Sequence, residues 1–515
     1  MVLHPIEHVG LYDFLDELAG QRVIEINSAI KPYSRKLIAT KLKEADSKRE
    51  QLNKRQKADL HFYLKDFNKE VGEESDTLRR DAFYRSDSTF ALTVNPIFGL
   101  TGWATGDESL YHRYGGAELH GFFNGLGIHF RLTDNHESIT ISNPSFLTQR
   151  KGALYKSSST AGADFSRMRG GITYDWNWGS IGLMRENMVW GNANNGAIVF
   201  SQRAPTYTRI LLNLAPKDWI ELNYSHGYLV SGIIDSSRSY PAGARDRKIY
   251  VPKFIAANML TVKPMKGLHL SLGNSVVYSD YVNPAFLIPF MFYKSIDHQS
   301  YYGTGNYGGQ NAQMYFDVSS RQIKNLHLYA TVFVDEISFG RMWDKGSHSN
   351  FVSLKSGLRW TNMANSNLSL IGEFTRTNPI VYQHFVNTTT FTSNNFGLGH
   401  YLGDNSREIY LALLYRPVAR CHLKLGYTRA EKGTYYPYDG VTNVLGLPFL
   451  ENVDWQYSQF SISGNYELIN DIVIHGSIDR SKVEQAVIEG VNYQYTPDNV
   501  NRDGWVLSAG FTIGF

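Results

Sequence analysis

The period of the apolar pattern changes once along this chain. In residues 1 to about 80 it is helical: Val9, Tyr12, Leu15, Leu18 and Ala19 suit one helix face, Leu37, Ile38, Leu42 and Ala45 a second, and Leu60, Tyr63, Leu64, Phe67 and Val71 a third. Ser34 is placed to cap the second helix, and Asn53 with Gln56 has the form of a capping box before the third. Isolated helices of this length are marginal, so the three must pack on one another or on something larger.

From about 89 onward the period is two, that of a strand with unlike faces. At the C-terminus Trp505, Leu507, Ala509, Phe511, Ile513 and Phe515 alternate with small or polar residues. Likewise Leu326, Leu328, Ala330, Val332 and Val334 stand against His327, Tyr329, Thr331, Phe333 and Asp335. The pattern divides into eighteen segments: 89–103, 110–122, 126–134, 168–177, 180–190, 205–214, 219–231, 251–263, 268–279, 313–321, 326–336, 352–362, 366–376, 407–416, 419–430, 456–468, 471–482 and 503–515. Asn124-Gly125 predicts a tight hairpin turn. Beyond it, short connections alternate with long ones, as they do when one rim of a barrel faces the periplasm and the other the outside.

The expectation is therefore a mainly β chain: an 18-stranded antiparallel transmembrane β-barrel over 81–515, preceded by a helical module over 1–80. An even strand count puts both ends on the short-turn rim, hence the module in the periplasm and the long loops outside. A terminal aromatic such as Phe515 resembles the insertion signal of bacterial outer-membrane barrels. A soluble sandwich or propeller also alternates, but the chain shows no repeated blade motif.

Composition agrees: 33 Tyr, 28 Phe, 9 Trp and 45 Gly suit many amphipathic strands. No run of eighteen apolar residues is present, which excludes a helical span and leaves a barrel open. The opening MVLHPIEH lacks a basic-then-apolar leader, so a processed mature form is expected. A net charge of +3 with both signs spread throughout makes no case for nucleic acid. The single Cys421 excludes an intrachain disulfide and a cysteine-based zinc cluster.

No catalytic or nucleotide motif stands out, so neither an enzyme nor a cofactor is expected. His4 and His8 read as surface residues rather than metal ligands, and Asp16 with Glu17, like Glu73 with Glu74, as solvated helix-rim charge. Asp235, Arg238, Arg245, Asp246 and Arg247 form a charged long loop, read first as ordinary surface and second as a site for an anionic sugar or a partner. Tyrosines crowd the long loops: Tyr293, Tyr301, Tyr302 and Tyr307; Tyr435, Tyr436 and Tyr438; Tyr493 and Tyr495. Their rings suit sugar faces. For any one of them an aromatic girdle or loop packing is the commoner role. The loop set as a whole reads as a binding surface.

Trp190-Gly191 followed by Ser201-Gln202-Arg203-Ala204-Pro205 resembles the Wzi family of capsule-assembly outer-membrane proteins. So do the Tyr12–Leu18 run, Pro32-Tyr33-Ser34-Arg35, Arg131–Asn135 and Asn283-Pro284. The aromatic loops look more like versions from the Bacteroidota than like enterobacterial ones. The resemblance implies an eighteen-stranded barrel with a periplasmic helical bundle and a lectin-like role in attaching capsular polysaccharide. The expected partners are outer-membrane lipid and lipopolysaccharide, capsular or exopolysaccharide, and periplasmic or outer-membrane proteins. Two alternatives remain, a structural subunit of a larger outer-membrane or secretion complex and a solute channel.

Overall fold

Three helices come first in the computed structural model, which describes residues 2–71, 79, 81–87, 89–106, 108–159, 162–300, 309–486, 495 and 502–514. They are α1 (Val9–Gly20), α2 (Arg35–Asp46) and α3 (Lys54–Phe67). Ser34 accepts a hydrogen bond from the Leu37 amide, and Asn53 with Gln56 forms a full capping box. Leu15, Leu18, Leu42, Leu60 and Phe67 build a common core. Leu37, expected on the apolar face of α2, is instead exposed.

Eighteen antiparallel strands then close a barrel. They are β1 (Phe90–Thr105), β2 (Glu108–Phe123), β3 (Leu126–Glu137), β4 (Gly162–Trp176), β5 (Gly179–Arg185) and β6 (Thr208–Lys217). Next come β7 (Ile220–Ile234), β8 (Tyr250–Met265), β9 (Leu268–Ser279), β10 (Asn311–Ile323), β11 (Leu326–Glu336) and β12 (Phe351–Thr361). The last are β13 (Leu368–Thr377), β14 (Ser406–Tyr415), β15 (Cys421–Gly433), β16 (Val453–Ile469), β17 (Ile472–Gln485) and β18 (Gly504–Ile513). The ends join where β18 pairs with β1, in register from Leu507↔Ala104 to Ile513↔Phe98. The Asn124-Gly125 turn has φ of 44° and 87°, the left-handed backbone that a two-residue hairpin needs and that this pair tolerates. Phe515 and the pair Glu73 and Glu74 lie outside the described residues.

The alternation sorts the faces as expected. Leu328, Leu425, Phe460, Ile462, Ile478 and Leu507 point outward and are exposed, while His327, Tyr329, Thr331 and Phe333 point inward and are buried. So continuous an exposed apolar band is unfavourable in water and matches a hydrocarbon layer. Among the described residues no helix is long and apolar enough to cross a membrane.

Three expectations fail because the lumen is filled. The segment expected as a strand over 180–190 leaves the wall at Arg185, and Val189–Trp190 pairs instead with Ile30–Lys31 ahead of α2. Asp16 and Glu17, read as solvated, are half-buried and fully buried. Glu17 is 0% exposed between Arg55 and Arg416, and Asp16 meets Arg321 at 3.2 Å and Lys31 at 3.5 Å. His4 and His8, expected on the surface, are buried and bonded to each other at 2.9 Å, with His8 3.1 Å from Glu467. Helical periodicity reveals the face that packs on α2 and α3, whereas the polar face of α1 meets inward arginines of a polar wall.

Candidate functional site: a filled lumen with a basic cavity

The plug grows out of two of the long connections. Residues 186–207, between β5 and β6, and 378–405, between β13 and β14, turn inward and pack together. Trp190 stands edge-on to Phe200 at 5.3 Å and Tyr315 at 6.2 Å, and Phe200 stacks on Phe391 at 5.6 Å. Tyr382 donates its hydroxyl hydrogen to the Ile198 carbonyl at 2.6 Å, and Ser201 donates to the Gly399 carbonyl at 2.7 Å. Arg203 donates to the carbonyls of Pro144 and Phe146 at 2.5 Å each, and Pro205 follows at the exit toward β6.

Three inward carboxylates hold this plug to the wall, Asp335 on β11 by accepting from the Tyr382 amide at 2.8 Å. Asp317 on β10 accepts from the Asn192 amide at 3.0 Å, the Asn192 side chain at 2.6 Å and the Thr331 hydroxyl at 2.5 Å. Glu373 on β13 accepts from the Asn194 amide at 2.6 Å, the Asn195 amide at 2.8 Å and the Tyr329 hydroxyl. Lys355 on β12 lies 3.1 Å from Glu373 and donates to the Asn195 carbonyl at 2.7 Å. Gly191 permits this close approach: its φ is +90°, and a Cβ there would sit 3.2 Å from the Thr331 methyl.

The helices close the short-turn rim. Asp13 is held by Arg359 at 2.6 Å, by Arg416, and by His422 at 3.5 Å. Burial acts to raise the Asp13 carboxyl, but Arg359 and Arg416 outweigh it and hold it well below the usual carboxylate range. Asp16 behaves alike, burial being overcome by Lys31 and Arg321.

The apolar plug core lies against β7–β12. Across the lumen, against β1–β5 and β15–β18, is a cavity of about 390 Å³. Five cations line it, Arg131, Lys151, Arg167, Arg169 and Arg185, with Glu7 and Glu467 as the carboxylates. Glu7 pairs with both Lys151 and Arg169, the latter at 2.5 Å. Among the described residues no group of three His, Cys, Asp or Glu side chains gathers to hold a metal.

The tyrosines named from the sequence are scattered. Tyr293 is fully buried beside Phe286, Tyr495 is buried near Trp455, and Tyr436 and Tyr438 pack on the plug core. Tyr435, Arg238 and Arg245 are exposed, whereas Tyr301, Tyr302, Tyr307 and Tyr493 lie outside the described residues. Arg238 pairs with Asp235 at 2.6 Å, and Arg245 stands on the small hairpin joining Tyr240–Ala242 to Arg245–Arg247. The sequence reading missed the anchors Asp317, Lys355 and Glu373, though each occupies an inward position of an alternating strand. It also missed Arg167 and Arg169, spaced by two on β4.

Among solved structures, the chain is similar to Wzi of Escherichia coli, an outer-membrane protein involved in group 1 capsule assembly and described as a carbohydrate-binding β-barrel. The match covers 100% of this chain and 99% of that one at a TM-score of 0.60 and 12% identity. The chain shares the closed β-barrel fold of that protein. What it shares at that identity is the fold. Looser matches include OccD3 (OpdP) of Pseudomonas aeruginosa, at 11% identity over 81% of this chain and 90% of that one with a TM-score of 0.42. OccAB1 of Acinetobacter baumannii matches at 9% identity over 82% and 95%, with a TM-score of 0.43. No family model and no curated protein matches the sequence.

Proposed function

We propose that the protein is a non-conducting outer-membrane barrel that binds or organises capsular or exopolysaccharide at its long-loop rim. The observation that carries this reading is the filled lumen. Helices seal one rim, the plug is bonded to the wall through Asp317 and Glu373, and the ladder from Val189–Trp190 to Ile30–Lys31 ties the two together. A barrel so filled acts from its rims. The full-length likeness to Wzi supports the choice of ligand class.

In this reading residues 1–80 form a periplasmic module, 81–515 the barrel, and the long loops lie outside in contact with lipopolysaccharide and glycan. Phe515 serves as the insertion signal, and the module's outer face is available to periplasmic partners. Tyr435, Arg238 and Arg245 are the exposed loop positions to test first. Their joint replacement by alanine leaves insertion intact and moves polysaccharide from the cell-bound to the shed fraction. Unchanged cell-bound polysaccharide in both that variant and a deletion strain refutes the reading.

A second reading, passage of a solute, is favoured by the cavity beside the plug. Conductance across a planar bilayer separates the two.

A further inference from the structure

The cavity between α1, β1–β5 and β15–β18 carries positive charge that the protein itself does not neutralise. Its carboxylates are already engaged: Glu7 by Lys151 and Arg169, and Glu467 by His8. Glu186 and Glu118 nearby serve Arg169 and Arg131. Arg167 donates to the Lys151 carbonyl at 3.5 Å and lies 5.0 Å over the Phe165 ring, and Arg185 donates to the Thr206 hydroxyl at 3.1 Å. Among the described residues neither Arg167 nor Arg185 forms a close ion pair with a carboxylate, although Glu137 and Glu7 act on Arg167 from farther off. The Nε and Nη1 atoms of Arg131 are likewise buried without a hydrogen-bond partner.

Arg167 and Arg185 are half-buried and line the cavity, so their charge is left to meet an anion that enters it. The planar fork of arginine matches the paired oxygens of a carboxylate or phosphate. The walls also offer apolar surface from Ile97, Leu154 and Pro205, and about 390 Å³ is room for a small organic molecule. We propose that this cavity binds a small organic oxyanion, a carboxylate or phosphate, between Arg167 and Arg185 with its carbon body against the apolar wall. Lys151 fits the same picture, since burial lowers its ammonium to about 8 even though Glu7 opposes the shift. The site is separate from the long-loop rim, and the proposal does not rest on the polysaccharide reading.

Calorimetric titration of the full chain in detergent at low ionic strength tests it, with glucuronate, inorganic phosphate and neutral glucose as probes. Saturable binding of at least one anion and none of glucose is expected, and the anion that binds identifies the source of the oxygens. In the double variant Arg167→Gln and Arg185→Gln the affinity falls by about tenfold or more, as expected for lost charged hydrogen bonds. Heat-modifiable mobility in gels shows whether that variant is folded. Absence of binding by both anions, equal binding of glucose, or unchanged affinity in the folded variant overturns the proposal.

Discussion

Replacing Glu373 by alanine removes an acceptor on which the plug hangs. Its carboxylate and the Lys355 ammonium are both fully buried, 3.1 Å apart. Deleting one member of a buried pair costs about 3–5 kcal/mol, because the other charge is left without a partner. The Asn194 and Asn195 amides also lose their acceptor, but Asn194 is exposed and Asn195 half-buried, so water replaces much of it. These terms overlap, since Lys355 keeps its bond to the Asn195 carbonyl. We therefore take about 4 kcal/mol, the middle of the range for the buried pair alone, as the loss in plug docking. At about 1.4 kcal/mol per decade this is on the order of a thousandfold loss of amide protection. Hydrogen exchange read by mass spectrometry on peptides covering 190–200 measures it directly. Glu373→Leu combined with Lys355→Met restores most of the protection, because removing both charges leaves none unpaired. Unchanged exchange in 190–200 for Glu373→Ala refutes the anchoring. So does a loss spread evenly over the wall strands, which would report the barrel rather than the plug.

Further outcomes follow from other contacts. Gly191→Ala places a Cβ 3.2 Å from the Thr331 methyl on a backbone with φ of +90°, and weakens the plug by about 1–3 kcal/mol in the same exchange assay. Ile462→Arg puts a charge mid-way along the outer face of β16, and destabilises the barrel by about 2–4 kcal/mol in folding titrations into lipid vesicles. The Asp13 and Asp16 carboxyls lie below their ordinary values, so their stabilising effect is present above about pH 4 and is lost only as pH falls through the depressed values. The module accordingly stays docked against pepsin at pH 4 and loosens well below it, whereas Asp13→Asn, which leaves Arg359 and Arg416 with a neutral partner, is cut at pH 4 as well.

The wall was legible because a barrel strand needs little beyond alternation. Each outward residue meets lipid and each inward one a polar lumen, so Leu425, Phe460 and Ile478 declare their face one segment at a time. The capping of α2 and α3 was equally plain, since Ser34 and Asn53 act within one helical turn. Position in the lumen was not legible. Val189 and Trp190 continue the alternation of β5, and only the distant Ile30–Lys31 edge explains why they leave the wall. His4, Asp16 and Glu17 looked solvated because burial of a charge depends on partners far along the chain, such as Arg321 and Arg416. The residues carrying the family resemblance, Trp190, Gly191, Ser201 and Pro205, gather on the plug segment, away from the exposed loops where a glycan site was sought. Tyr293 shows the same limit, since its loop turns back and buries the ring.

Planar-bilayer recording of the purified barrel tests the central claim of a filled lumen most directly. The account predicts a baseline without stable open steps for the native protein, and open steps once Glu373→Ala releases the plug. Steady, long-lived conductance from the native protein would contradict it and favour passage beside the plug.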